Sequence, residues 1–257
     1  MPRLPAVSIL LPTHNRSALI CRAVESVLAQ SFSDLELIVI DDASTDNTRD
    51  VLQTIKDDRL KIHSFPRNRG QSAARNTGVN LAQANLIAFQ DSDDEWLPGK
   101  LERQMGLMKS DESIAGCYHD LLRMPKKGEP FVISAPELKT GAFFDRRTSG
   151  YAAYGIGIQT CLFRKPVLIQ AGGMDETMHC FEDLDLFLRI NRKHRLQRIP
   201  EPLVHYHETD GVSKRNEHEY KARKKMLLRY AFRALIERPE WIPRELSNIR
   251  RRQRLDK

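Results

Sequence analysis

The chain has 257 residues, 40% hydrophobic and 29% charged, with a formal net charge of +7; this is the composition of a globular protein, long enough for one sizeable domain or two small ones. No apolar run reaches the roughly 18 residues of a membrane span, and Met1-Pro2-Arg3-Leu4-Pro5 lacks the apolar core and cleavage site of a signal peptide, so a cytoplasmic chain is expected. Cys21, Cys117, Cys161 and Cys180 are scattered without metal-type spacing and read as reduced thiols.

Strand and helix patterns alternate through the first hundred residues. Residues 7–11 (VSILL) form a short β run that Pro12 is expected to stop, and Leu19, Ile20, Ala23, Val24, Val27 and Leu28 then fall on one helical stripe. Residues 35–40 (LELIVI) are almost wholly apolar, as in a parallel strand covered on both faces, and they end in Asp41-Asp42. Ser44-Thr45-Asp46 offers N-cap chemistry to a helix through Val51 and Ile55. Residues 60–65 alternate as a third strand, and a turn over 68–72 leads into a helix reaching about Ala84. This alternation specifies an α/β domain with a mainly parallel sheet flanked by helices, in which ligands bind at the carboxyl ends of the strands. The polar clusters at 13–15, 41–42 and 91–94 all follow strands directly and should share one edge.

Residues 86–94 (LIAFQDSDD) are the most informative stretch. An apolar strand runs into Asp91, Asp93 and Asp94, carboxylates that repel one another unless a cation lies between them. Asp91 and Asp93 point to the same side of an extended chain and offer a hard cation, Mg²⁺ or Mn²⁺, two oxygen ligands. An acidic turn capping the helix after Pro98 is the plain alternative.

The second half is less regular. Residues 115–119, 131–133 and 160–164 read as strands, 150–157 as a mobile Gly- and Tyr-rich loop, and 165–171 as a short helix stopped by Gly172-Gly173. Residues 182–191 are helical, with Asp185 and Arg189 an i,i+4 pair of structural type. Arg198-Ile199 and residues 203–206 read as two short strands, followed by a long helix over 217–237 and a Pro-interrupted basic end. From Lys214 to Lys257 there are 15 Lys/Arg against 6 Asp/Glu, which leaves the preceding 213 residues at 26 basic against 28 acidic. The basic tail over 214–257 is therefore either a solvated helical face or a contact for a phosphate-rich partner or anionic membrane.

Several stretches together resemble the inverting nucleotide-sugar glycosyltransferases of family 2, which have the GT-A fold. They are residues 7–16 (VSILLPTHNR), 37–46 (LIVIDDASTD), 68–78 (NRGQSAARNTG), 89–97 (FQDSDDEWL), 172–176 (GGMDE), 181–189 (FEDLDLFLR) and the His-containing segment up to Val212-Ser213. The resemblance implies one catalytic domain over 1–213, with a Rossmann-like nucleotide-sugar donor half at 1–112 and a smaller acceptor and catalytic-base half at 113–213. It implies that Pro12, Thr13, His14 and Asn15 line the nucleoside pocket, with His14 standing where the family often has a Tyr. Asp42 would accept from the base, with Asp41 beside it. Gln71 and Arg75 would approach donor phosphate or sugar hydroxyls, with Arg75 alternatively a partner for the acidic cluster. Asp91-Ser92-Asp93 looks like the family's Asp-x-Asp motif, with Asp93 on the metal and Asp91 towards the ribose or a metal-bound water. Trp96 would pack beside the sugar or in the core, and His207 would reach the diphosphate or the metal. Glu182-Asp183 resembles the catalytic pair, Asp183 being the candidate base and Glu182 its neighbour in the first helical turn.

The implied reaction moves a sugar from a nucleoside-diphosphate sugar, a UDP-sugar favoured, to a glycan or lipid-linked acceptor in cell-surface polysaccharide or glycolipid synthesis. The implied cofactor is Mg²⁺ or Mn²⁺, and the implied location is cytoplasmic, peripheral on the membrane through 214–257. Nucleotidyl transfer is the main rival, but residues 12–16 lack the glycine-rich loop that would hold a triphosphate. A non-catalytic nucleotide-sugar binder would have no use for Asp183, and no nucleic-acid readout module is recognised, so no nucleic-acid partner is expected.

Overall fold

The computed structural model describes residues 4–145, 150–209 and 216–255. Its first half is built as the apolar pattern dictates. Strands β1 (Val7–Thr13), β2 (Leu35–Asp41), β3 (Leu60–Ser64) and β4 (Leu86–Phe89) pair in parallel in the order β3-β2-β1-β4. Helices α1 (Ile20–Leu28), α2 (Thr48–Thr54) and α3 (Gln71–Leu81) make the crossovers. Pro12 does not stop β1, which keeps its register with β2 through Thr13. Pairing with β4 ends at Leu10, so from there β1 has no ladder on that side that proline would break.

Beyond β4 the sheet becomes mixed. A two-residue strand β5 (Glu95–Trp96) and helix α4 (Lys100–Ser110) precede β6 (Ile114–Met124), with β7 (Phe131–Ile133) on its edge. A small separate ladder joins β8 (Phe144–Asp145) to β9 (Gly150–Tyr151). Strand β10 (Leu162–Arg164) is inserted antiparallel between β4 and β6, and helices α5 (Lys165–Gln170) and α6 (Glu182–Asn191) follow it. The expected pair of short strands near 198–206 is one strand, β11 (Arg195–His207). Pro200 and Pro202 shift its register against β6 without ending it. The chain closes with α7 (Asn216–Glu237) and α8 (Trp241–Leu255); Pro243 falls in the first turn of α8, where its missing N–H costs no helical bond.

The sheet divides the core into two layers. Ile9 and Leu11 face α1 and α4 through Val24, Val27, Leu101 and Met105, while Leu10 and Ile40 face α3. Each such fully buried aliphatic side chain stabilises the fold by about 1.5–3 kcal/mol relative to exposure. Helix α3 lies close to the sheet because Gly78 has no side chain: a Cβ there would sit 2.9 Å from Leu10 Cδ2.

On that same face, α7 and α8 bury Met226, Tyr230, Ala234 and Trp241 in the cluster that holds Leu184 and Phe187 of α6. The expected mobile loop at 150–157 is packed instead. Tyr151, Ala153 and Ile156 are buried, and the Tyr151 ring lies 5.1 Å from Trp241 and 6.0 Å from Tyr230. The signal for mobility was glycine and tyrosine content, whereas aromatic partners that anchor Tyr151 come from the far end of the chain. The expected division at residues 213/214 lies outside the described residues.

Candidate active site

The strand-end clusters meet on one edge, as parallel topology requires. Asp42 N donates to the Thr13 carbonyl at 2.8 Å and Gln90 N to that of Leu10 at 2.9 Å, so the ends of β2, β1 and β4 lie side by side. Pro12 and Thr13 are buried, and Thr13 Oγ1 has no hydrogen-bond partner among the described residues. His14 is exposed, and its Nδ1 donates to the Asp42 carbonyl at 2.8 Å. Asn15 adopts a left-handed φ of 52°, a conformation Asn tolerates. From there its Oδ1 accepts from Thr45 N at 2.8 Å, which ties the loop after β1 to the loop after β2.

The two carboxylates after β2 are held apart. Asp41, fully buried, accepts from Arg49 Nε at 2.5 Å and Ser44 N at 3.0 Å, and so faces away towards α2. Asp42 accepts from the backbone N–H groups of Arg69 at 2.6 Å and Gly70 at 2.8 Å. Gly70 presents its N–H from a φ of +88°, which only glycine takes readily. A carboxylate has about four acceptor positions, so these two bonds leave Asp42 capacity for a ligand.

Arg75 joins the two halves of the chain. It is 3% exposed, and its Nη2 donates to Asp91 Oδ1 at 2.6 Å while Nη1 donates to Glu182 Oε1 at 3.1 Å. Gln71 Nε2 donates to the same Glu182 oxygen at 2.6 Å. Gln71 and Arg75, one helical turn apart on α3, thus both hold Glu182 at the start of α6. Phe181 precedes it with a left-handed φ of 60°, a costly conformation for an aromatic residue that turns the chain into the helix at this point. Asp183 is half-buried and its Oδ1 accepts from Leu184 N at 2.7 Å. Burial, reinforced by the neighbouring Glu182 charge, pushes the Asp183 carboxyl up to about 7. Burial also raises Glu182, although Arg75 opposes it.

The turn after β4 carries the other carboxylates. Asp91 is bound to Arg75, Ser92 is buried beside it, and Asp93 Oδ2 accepts from the Thr209 hydroxyl at 2.6 Å, with Arg16 Nη2 3.7 Å away. Asp94 is structural: buried, it accepts from His207 N at 3.0 Å and from Gln159 Nε2 at 2.9 Å. Burial and then the charges of Asp91 and Asp93 raise Asp94 well above the carboxylate range. Asp91 and Asp93, whose charges add to the raising of Asp94, are hard oxygen donors of the kind a hard divalent cation takes, and such an ion would lower the repulsion among the three. Trp96 does not reach this edge. It is 2% exposed, with Lys100 Nζ 3.7 Å from its ring centre. His207 Nε2 lies 3.8 Å from Glu95 Oε2, which brings it together with Glu95 and His205 on paired strands.

Two supporting residues, Thr209 and Gln159, were given no role from the sequence, and neither carries a local pattern that distinguishes it; Arg16 lies in the 7–16 stretch, but its approach to Asp93 is set by the tertiary fold. The arrangement as a whole places a half-buried carboxylate with affinity for a proton near neutrality beside a cation-compatible strand end. That is the equipment for deprotonating a hydroxyl next to an anionic leaving group.

Comparison with known proteins bears on the family and the fold. Glycosyl transferase family 2 matches residues 8–168. The chain is 41% identical over 102 residues to the UDP-Glc:alpha-D-GlcNAc-diphosphoundecaprenol beta-1,3-glucosyltransferase WfgD of Escherichia coli, covering 40% of this chain and 40% of that protein. It spans between 36% and 55% of the length of the first five curated relatives it matches. Among solved structures, S. aureus TarS in complex with UDP-GlcNAc aligns with a TM-score of 0.71 at 19% identity, over 86% of this chain and 65% of TarS. Mannosyltransferase PcManGT from Pyrobaculum calidifontis, in complex with GDP-Man and Mn²⁺, aligns with a TM-score of 0.65 at 18% identity, over 96% of this chain and 74% of that one. These likenesses identify the curled, mixed sheet with its flanking helices as the GT-A fold. With the family's match extending from β1 into α5, and so across the ends of β1, β2 and β4, the chain belongs to glycosyl transferase family 2.

Proposed function

We propose that the chain moves a sugar from a nucleoside-diphosphate sugar, a UDP-sugar favoured, onto a hydroxyl of a glycan or lipid-linked acceptor, with inversion at the anomeric carbon. The observation that carries this reading is Asp183, pushed up to about 7 and tied through Glu182 and Arg75 to Asp91 at the end of β4. The acceptor hydroxyl gives its proton to the Asp183 carboxylate as its oxygen bonds to the anomeric carbon. The bond from that carbon to the diphosphate oxygen breaks on the opposite face, and its electron pair leaves with the nucleoside diphosphate. One base and no enzyme nucleophile suffice. Asp93 and Asp91 would hold Mg²⁺ or Mn²⁺, which when bound offsets charge on the departing diphosphate. Thr13, His14 and Asp42 receive the nucleoside, and the orphaned Thr13 hydroxyl supports a polar ligand at that edge.

The test is a screen of nucleotide-sugar hydrolysis by the full chain with Mg²⁺ or Mn²⁺. Hydrolysis of one nucleotide sugar, abolished by Asp93→Asn, is the expected result. Release of pyrophosphate from a nucleoside triphosphate and a sugar phosphate would overturn the reading in favour of nucleotidyl transfer.

We also propose that the C-terminal helices lie against an anionic membrane, where a lipid-linked acceptor would be met. Not all of the basic charge is available for this. Lys225 and Arg229 each bind Asp175 at 2.7 Å, and Arg223 binds Glu245 at 2.9 Å. The outward face of α7 is apolar instead: Leu228, Phe232, Leu235 and Ile236 are 72%, 75%, 61% and 66% exposed. Their i, i+4, i+7, i+8 spacing makes one stripe, and the exposed Lys224, Arg250 and Arg251 supply charge complementary to anionic headgroups.

A further inference from the structure

Residues 151–160 run from the C-terminal helices to the acidic turn. At one end the Tyr151 ring packs against Trp241 and Tyr230. At the other, Gln159 Nε2 donates to Asp94 Oδ2 at 2.9 Å. Gly157 makes that reach possible, because a Cβ there would collide with Gln159 Oε1. Between these anchors Ala152, Ala153 and Ile156 are buried. Tyr154 is the one side chain of the segment that leaves the core, at 59% exposed. A turn closed from Tyr154 N to the Tyr151 carbonyl at 3.0 Å, with Gly155 after it at a φ of +99°, carries it outwards.

The Tyr154 ring lies 6.5 Å from that of Phe181, with the two planes inclined at 53°. Phe181 is the left-handed residue that turns the chain into α6, so Glu182 and Asp183 follow it at once. The Arg223 guanidinium lies 5.2 Å from the centre of the Phe181 ring. Phe181 is thus backed by Arg223, and Tyr154 supplies the open ring beside the candidate base. Held by a backbone anchored at both ends, that ring has little freedom left to lose when a ligand settles on it.

The face of an aromatic ring is electron-rich, whereas the C–H face of a pyranose carries slight positive charge, so the two stack while the hydroxyl edge of the sugar meets polar groups. A hydroxyl that gives its proton to Asp183 must be held at the right distance and angle, and a rest for its own ring does this. An open-chain alditol has no flat C–H face to offer. We propose that Tyr154, backed by Phe181, is the platform on which the accepting sugar lies, so that the acceptor presents a pyranose ring. This inference deepens the glycosyl-transfer reading and rests on it.

The test compares transfer with hydrolysis by the full chain. The donor is the nucleotide sugar it hydrolyses; the acceptors are methyl glucoside, methyl galactoside, methyl N-acetylglucosaminide and ribitol phosphate. At acceptor concentrations below KM, Tyr154→Ala should lower the ratio of transfer to hydrolysis roughly tenfold, through KM rather than kcat, and Tyr154→Phe should keep the ratio. A merely structural role would lower both rates together and leave the ratio as it was. The side chain is exposed, so its truncation leaves the core intact, which circular dichroism verifies. An unchanged ratio in Tyr154→Ala, or an equal loss in Tyr154→Phe, would overturn the proposal. A parent chain that hydrolyses the donor yet glycosylates none of the pyranosides would overturn it equally. Absence of nucleotide-sugar hydrolysis by the parent would instead remove glycosyl transfer itself, and this inference with it.

Discussion

A carboxyl held near neutrality by burial destabilises the fold that holds it, and Asp183→Asn exposes that cost. The Asp183 carboxyl is raised from 3.8 to about 7, so the folded state binds a proton that the unfolded chain releases between those values. Stability attributable to this group is therefore fully present below pH 3.8 and is lost as pH rises through 7. Three pK units correspond to about 4 kcal/mol. Partial exposure and sharing of the titration with Glu182 reduce this to about 1–3 kcal/mol. Asn reproduces the neutral form at every pH. In metal-free buffer at pH 8, Asp183→Asn should melt above the parent, by about 2–4 °C per kcal/mol for a chain of this size. At pH 4 the two should melt together. The assay is thermal unfolding by circular dichroism at both pH values, with calorimetric binding of the nucleotide sugar and a transfer assay on the same samples. Retained binding, lost transfer and higher stability at pH 8 alone are expected. A variant that is less stable at pH 8, or more stable by the same amount at both pH values, would refute the reasoning.

Arg75→Met removes the cation shared by Asp91 and Glu182 and leaves a buried carboxylate unpaired; chemical denaturation should show a loss of about 3–5 kcal/mol, and a loss under 1 kcal/mol would deny the pairing. Lys100 is fully buried and pushed down to about 7, so its charged form costs stability below that pH and the cost fades as pH rises towards 10.5. Lys100→Met should accordingly be favoured over the parent by several kcal/mol more at pH 6 than at pH 10, the hydrogen bond to Gln104 partly offsetting the gain; a pH-independent difference in denaturation midpoint would argue against a desolvated ammonium. Phe232→Asp should reduce co-sedimentation with phosphatidylserine vesicles and leave nucleotide-sugar hydrolysis unchanged. Equal partitioning together with a change in oligomer size would show that a second copy covers the stripe.

What could be read from the sequence follows from how local each signal is. The parallel strands of the first half announce themselves as apolar runs, and the carboxylates that follow β2 and β4 lie next to the apolar residues in the chain. Helix α6 began and ended where its pattern placed it, at Glu182 and Asn191. Arg75 had its two possible roles recognised, but its partners lie 16 and 107 residues away, a distance no periodicity spans. Helix α7 hid its outer stripe because it is apolar on its inner face as well, at Met226, Tyr230 and Ala234, so no single face stands out. The segment that read as two short strands is one, β11, because a strand tolerates Pro200 and Pro202 where a register shift absorbs the lost bond.

Strand β10 has a consequence for how the molecule folds and opens. Only three residues long, it lies between β4 and β6 and is the sole ladder joining them among the described residues. It is made after both of them in the chain, and its partners are Ala88, some seventy residues earlier, and Cys117, some forty-five earlier. Closing such loops costs entropy before any contact repays it, so this seam forms late and slows folding. Once formed, it makes the β1–β4 half and the half that carries α6 one cooperative unit. The amides of Leu162 and Phe163 should exchange with solvent only through global unfolding, as slowly as those of β1.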